Sequence, residues 1–202
     1  MYSDLKIKVL LICFLLVRGN VFAQITNTVD SATANKVLAK CEKKFPKFLR
    51  EFSYIKTHDT LMRNIIFVTS NKGLDNGPAK AGPRGNIFID IKYLEHEQPA
   101  FDDDRLVVVL YHEIGHLHYF MTVPITNRNP EENEKYAFEY SLNKTKELSE
   151  KGDCSPLKTG LKFMKIRSES DNLQDPHVRA LKRMVNEPLY NTYLQYVKEH
   201  CT

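Results

Sequence analysis

Leu106-Val-Val-Val-Leu-Tyr-His112-Glu113-Ile-Gly-His116-Leu-His-Tyr-Phe120 is a long apolar run without proline. Its β-branched start, Val107 to Val109, is compatible with a strand. A strand would scatter His112, Glu113 and His116 over both faces. A buried central helix over Asp102 to Met121 accounts better for the length and for the absence of proline. On that helix His112 and His116, four residues apart, project from one face and can share a metal ion. Glu113 lies about 100° round the axis, near enough to act as a base on a water at that metal. Gly115 removes a side chain where another element can approach closely. Asp102, Asp103 and Asp104 put negative charge where a helix N-terminus favours it.

Two histidines leave a catalytic zinc site one protein ligand short. After a turn at Pro124 comes Asn129-Pro130-Glu131-Glu132-Asn133-Glu134-Lys-Tyr-Ala137-Phe-Glu139-Tyr-Ser141. Pro130 suits the first position of a new helix, running to about Lys151. Glu131 and Glu132 fall in its first turn, where the helix dipole explains them. Glu134 shares a face with Ala137, Phe138 and Ser141, and the two small residues suit close packing on the His112 helix. Glu134 is therefore the preferred third ligand, with Glu139 as the alternative.

Outward from these helices, the chain reads as a helix-rich α+β domain with a modest sheet. Ser31 is a candidate N-cap for a helix carrying Val37, Leu38, Cys41 and Phe45, ended or kinked by Pro46, with a further helical turn over Phe48 to Phe52. Strands are expected at Asn64 to Thr69 and Asn86 to Ile91. The glycine- and proline-bearing segment from Ser70 to Gly85 reads as a loop. Helical segments follow around Pro156 to Ile166, Asp175 to Asn186 and Pro188 to His200. Tyr190, Tyr193, Tyr196 and Val197 recur at the spacing of a core face.

The 202 residues are 42% hydrophobic and 27% charged, which excludes a collagen, a coiled coil, a wholly disordered chain and a multi-span membrane protein. The formal charge is +4, and the first 23 residues contribute half of it through Lys6, Lys8 and Arg18 against Asp4. The remainder is too weakly basic for a nucleic-acid partner. Those same residues read as a signal peptide: Lys6 and Lys8, the apolar run Val9 to Val17, and small or β-branched Val21 and Ala23 before cleavage near Gln24. The run is well short of the roughly 20 residues of a spanning helix, so no stable membrane insertion is expected once it is removed. The organisation expected is a signal peptide at 1–23 and one domain at 24–202, with a core at about 64–150 and a helical extension over 151–202. The setting is secreted or periplasmic. Cys41, Cys154 and Cys201 then allow one disulfide, and the sequence does not choose among the three pairings.

His112-Glu113-Ile-Gly-His116 followed by Glu134-Lys-Tyr-Ala137-Phe-Glu-Tyr140-Ser141 resembles the gluzincin metallopeptidases. The second helix is most similar to the compact ImmA/IrrE-type members, whose third-ligand helix reads Glu-x-x-Ala-x-x-aromatic-small. The resemblance covers roughly Asn64 to Leu148. It implies a minimal zincin domain with a short mixed sheet and an edge strand beside the central helix. It also implies zinc held by His112, His116 and Glu134, with Glu113 as general base in the hydrolysis of a peptide or protein substrate. By the same resemblance, the strand Asn86 to Ile91 would border the cleft and pair with substrate. Phe138 stands where many gluzincins carry an aspartate that orients a ligand histidine, so that role is left unassigned. The longer metzincin pattern is not met, because Tyr119 and Thr122 occupy its glycine and third-histidine positions. His177, Tyr136 and Tyr140 are candidates for a donor to the oxyanion, though each is also explained by capping or packing. His118 points away from the metal face. The rival functions are a noncatalytic zinc-binding module and a zinc amidase acting on cell-wall peptides.

Overall fold

The structure is a computed structural model that describes residues 28–69, 77–96 and 100–201. The expected signal peptide lies outside the described residues. The first helix, α1 (Ser31–Lys44), buries Ala34, Val37 and Cys41. Its N-cap is Asp30 rather than Ser31: the Asp30 carboxylate accepts the Thr33 backbone N–H at 2.9 Å, a bond a one-residue shift would lose. Pro46 starts a full helix, α2 (Pro46–His58), instead of one turn, because proline sits at its first position, where no N–H is needed.

Three strands follow, β1 (Asn64–Val68), β2 (Ala79–Gly82) and β3 (Asn86–Asp90), in the order β1-β3-β2. β1 runs parallel to β3, Asn64 opposite Asn86, and β2 runs antiparallel, Ala79 opposite Ile89. This mixed sheet corrects two expectations. Ala79 to Gly82, read as loop, is a strand. And β3, expected at the edge, is the central strand, so β2 is the edge beside the motif helix. Ala-Lys-Ala-Gly has little strand propensity of its own; pairing with β3 supplies the order.

A short helix, α3 (Lys92–Glu95), leads to α4 (Asp103–Thr122), whose N-cap Asp102 accepts the Arg105 N–H at 2.8 Å. α5 (Pro130–Glu150) is capped by Asn129, which accepts from Glu131 and Glu132 N–H. α6 (Ser155–Ser168), α7 (Pro176–Met184) and α8 (Pro188–His200) complete the helical C-terminal part.

α4 lies between two apolar clusters. Leu106, Leu110, Ile114 and Leu117 join α1, α2 and the sheet, while Val108 joins Phe138 and Leu142 of α5 with residues of α6 to α8. A helix buried on opposite sides needs apolar residues all round, which is why its polar residues stand out. Cys154 and Cys201 form a disulfide that ties the end of α8 to the start of α6, and Cys41 is free and buried. Among the described residues no helix is long and apolar enough to cross a membrane.

Candidate metal centre

His112 and His116 face the same way from α4, and their Nε2 atoms lie 3.1 Å apart. Both side chains are buried, so each imidazole has left water behind and needs a partner. The partner comes from α5. The two helices touch at Gly115, where an added Cβ would stand 2.7 Å from the Ala137 Cα and 3.0 Å from the Tyr140 Cβ. One turn before Ala137, Glu134 directs Oε2 to 3.3 Å from His112 Nε2 and 3.6 Å from His116 Nε2.

These three separations can be tested against a metal. Ligands about 2.05 Å from a tetrahedral ion stand about 3.3 Å from one another. The observed 3.1, 3.3 and 3.6 Å bracket that value. Two imidazole nitrogens and a carboxylate oxygen thus converge at the separations needed to share one ion. The His112, Glu113 and His116 ligand atoms also lie within 4.8 Å of one another, as do those of His112, Glu134 and His177.

The charges agree with the geometry. Burial, with His116 beside it, lowers the His112 pKa to about 3, so its ring is neutral and carries a lone pair. For Glu134, burial works in the opposite direction, but the closeness of His112, His116 and His177 outweighs it and holds the carboxyl below the usual range; its Oε2 is buried without a hydrogen-bond partner among the described residues. A carboxylate beside imidazole nitrogens is a donor set for a cation.

His116 Nδ1 lies 3.0 Å from Asn133 Oδ1, which fixes the ring and turns Nε2 toward Glu134. The sequence offered little to find Asn133 by: it precedes Glu134 in a polar first turn. Phe138 packs on the His112 ring, 4.3 Å between centroids. His112 Nδ1 is buried without a hydrogen-bond partner among the described residues.

Glu113 faces the sheet. Its Oε2 accepts the Ala81 N–H of β2 at 2.5 Å. Burial raises its pKa, against the opposing effects of His116 and the Ala81 N–H. The edge strand that the sequence conceals therefore holds the carboxylate beside the histidines.

His177 also reaches the site. At the start of α7, Asp175 accepts both its backbone N–H and its Nδ1, each at 2.9 Å, and Nε2 stands 3.2 Å from Glu134 Oε2. α7 is clamped to the first turn of α5: Arg179 bonds Glu131 at 3.0 Å and Arg183 bonds Glu132 at 2.7 Å. Those two glutamates thus do more than complement a dipole.

The other candidates lie elsewhere. Glu139 pairs with Lys135 at 2.6 Å. The Tyr140 hydroxyl is 3.3 Å from His118 Nε2, and that nitrogen is 3.0 Å from Asp59. Tyr136 packs on Tyr119. Neither tyrosine lines the cleft of about 840 Å³ that opens over His112, Glu113, Glu134 and His177. Segment 77–81 borders that cleft, whereas residues 70–76 lie outside the described residues. Comparison of the chain with known protein families, with curated proteins and with solved structures finds no match.

Proposed function

We propose that the chain is a zinc-dependent metallopeptidase of gluzincin type that hydrolyses peptide bonds. The observation that carries this reading is the convergence of His112 Nε2, His116 Nε2 and Glu134 Oε2 at tetrahedral-edge distances, with a second buried carboxylate alongside. His112, His116 and Glu134 would hold the ion, and Asn133 would orient His116. Bound zinc supplies Lewis acidity toward the scissile carbonyl and makes water a better proton donor.

Glu113 takes a proton from the attacking water and returns it to the leaving amine nitrogen, so water and amide become acid and amine. Its raised pKa suits both transfers. The Ala81 N–H fixes the carboxylate against the sheet edge. His177, steadied through Nδ1 by Asp175, presents Nε2 to the cleft, where the doubly protonated ring would donate to the oxygen on which negative charge grows. An exported location is supported by the Cys154–Cys201 disulfide, which persists in oxidising compartments.

The test has two parts. Metal content of purified protein should show one zinc per chain, reduced in Glu134→Gln. Glu113→Gln should keep the zinc and lose cleavage of casein, insulin chain or cell-wall fragments. Zinc bound without cleavage of any of them would identify a binding module instead. Cleavage of the cell-wall fragments alone would identify an amidase. A protein that takes up no zinc would end the proposal.

A further inference from the structure

Arg105 lies two helical turns before His112 on α4 and on nearly the same stripe, about 10 Å along the axis. It lines the same cleft as His112 and Glu113, yet only 8% of its surface is exposed. Its guanidinium carbon stands 3.0 Å over the Phe163 ring. Nε is buried without a hydrogen-bond partner, and among the described residues no carboxylate lies within ion-pair distance. Asp102 contributes attraction from further off, but its Oδ1 is committed to the Arg105 backbone N–H. Arg167, another cation lining this cleft, donates to Asp175 at 2.5 Å and repels Arg105. Burial lowers the Arg105 pKa to about 9, so the group is charged at neutral pH.

A buried charge without a counter-charge is costly, and the Phe163 ring and the more distant Asp102 offset it only in part. Arginine's donors form a planar fork that fits a carboxylate in two parallel hydrogen bonds, and stacking on an aromatic ring holds that plane in place. We propose that Arg105 is the specificity residue of the cleft and binds a carboxylate of the peptide substrate. The separation from His112 corresponds to about three residues of extended chain between that carboxylate and the bond cut. The carboxylate is either the chain terminus or an aspartate or glutamate side chain. This rests on the peptidase reading above.

Four alanine-based hexapeptides separate the possibilities: one with a free C-terminus, one amidated, one amidated with a single aspartate, and one amidated with asparagine at that position. For the wild type, a carboxylate peptide should be cleaved with kcat/KM about 10- to 100-fold above its neutral counterpart. The advantage of the free C-terminus over the amide, or of aspartate over asparagine, identifies the source. Arg105→Gln should abolish the advantage and Arg105→Lys should restore part of it. Cleavage of all four at equal rates overturns the inference and leaves the peptidase reading standing, as does an equal loss on all four in Arg105→Gln. The wild-type comparison decides if that variant does not fold. If none of the four is cleaved, calorimetric binding of the same peptides to Glu113→Gln decides. Tighter binding of the carboxylate peptides then keeps the subsite and equal binding removes it, while cleavage of casein or insulin chain separately decides the peptidase reading.

Discussion

Gly115→Ala adds one methyl group at the point where α4 and α5 touch. Elsewhere in a helix that change is favourable by about 0.5–1 kcal/mol, because glycine loses more backbone freedom on folding. Here the new Cβ would lie 2.7 Å from the Ala137 Cα, a backbone atom that cannot rotate away. Ordinary carbon contacts are about 3.5–4.0 Å, so the helices must separate by about 1 Å. Overpacking of this kind costs about 1–3 kcal/mol, which reverses the sign expected from propensity. The separation also acts on the proposed ligands: Glu134 rides on α5, and its distances of 3.3 and 3.6 Å to the histidines would lengthen with it. Metal–ligand distances tolerate about 0.2 Å, so zinc affinity should fall at least about tenfold.

Gly160→Ala is the internal control. Its Cβ would meet Val108 at 3.4 Å and Leu142 at 3.6 Å, which is ordinary contact. Thermal unfolding with a chelator present isolates packing from metal linkage, and a zinc titration then reads the site. Gly160→Ala should raise Tm by about 2–3 °C and bind zinc unchanged, whereas Gly115→Ala should lower Tm by several degrees and bind zinc weakly. A Gly115→Ala protein that is stabilised like the control and keeps full affinity would refute the claim that this contact sets the ligand geometry.

Asn133→Ala removes the acceptor for His116 Nδ1 and should weaken zinc binding about tenfold without unfolding the chain, as a competition titration with a chromophoric chelator would show. His177→Ala should leave zinc content and KM nearly unchanged while kcat falls about 100-fold; a proportional rise in KM with constant kcat would assign it to substrate binding instead. Replacing Cys154 and Cys201 with serine should cost about 2–5 kcal/mol in denaturant unfolding, since the bridge closes a separation of 47 residues. Burial would raise the Asp59 pKa, but the His118 hydrogen bond and the Met62 and Leu61 N–H groups together lower it. A carboxylate held below its unfolded pKa stabilises the fold above about pH 4, and that contribution is lost as pH falls further. Asp59→Asn should therefore flatten the acid limb of a stability-against-pH curve, and an unchanged limb would remove Asp59 from the account.

What could be read from the chain was local in sequence. The i, i+4 histidines and Glu113 lie within five residues, and Glu134 is reached through one helix start at Pro130 and a face of small residues. What escaped depends on distant partners. β2 is a strand because β3 pairs with it, and its place at the edge is what puts the Ala81 N–H against Glu113. Asn133 matters because α5 crosses α4 at Gly115, a distance no periodicity encodes. His177 was legible as a helix-start residue beside Asp175, but its arrival at Glu134 depends on Arg179 and Arg183 gripping α5. The pairing of Cys154 with Cys201 likewise follows from the packing of α8 on α6.

The site also shows how two buried glutamates in one cavity can take different roles. Like charges this close disfavour each other's ionised form, and only the surroundings decide which carboxylate keeps its charge. Glu134 is ringed by His112, His116 and His177, and these outweigh its burial. Glu113 has one backbone N–H and more distant imidazoles, so burial prevails and its pKa rises. Environments that drive two carboxyl pKa values apart separate a permanent anion from a proton carrier. On the proposed reading, the first is the ligand and the second the base. That division of labour comes from which helix face and which sheet edge each glutamate meets, since the two side chains are chemically identical.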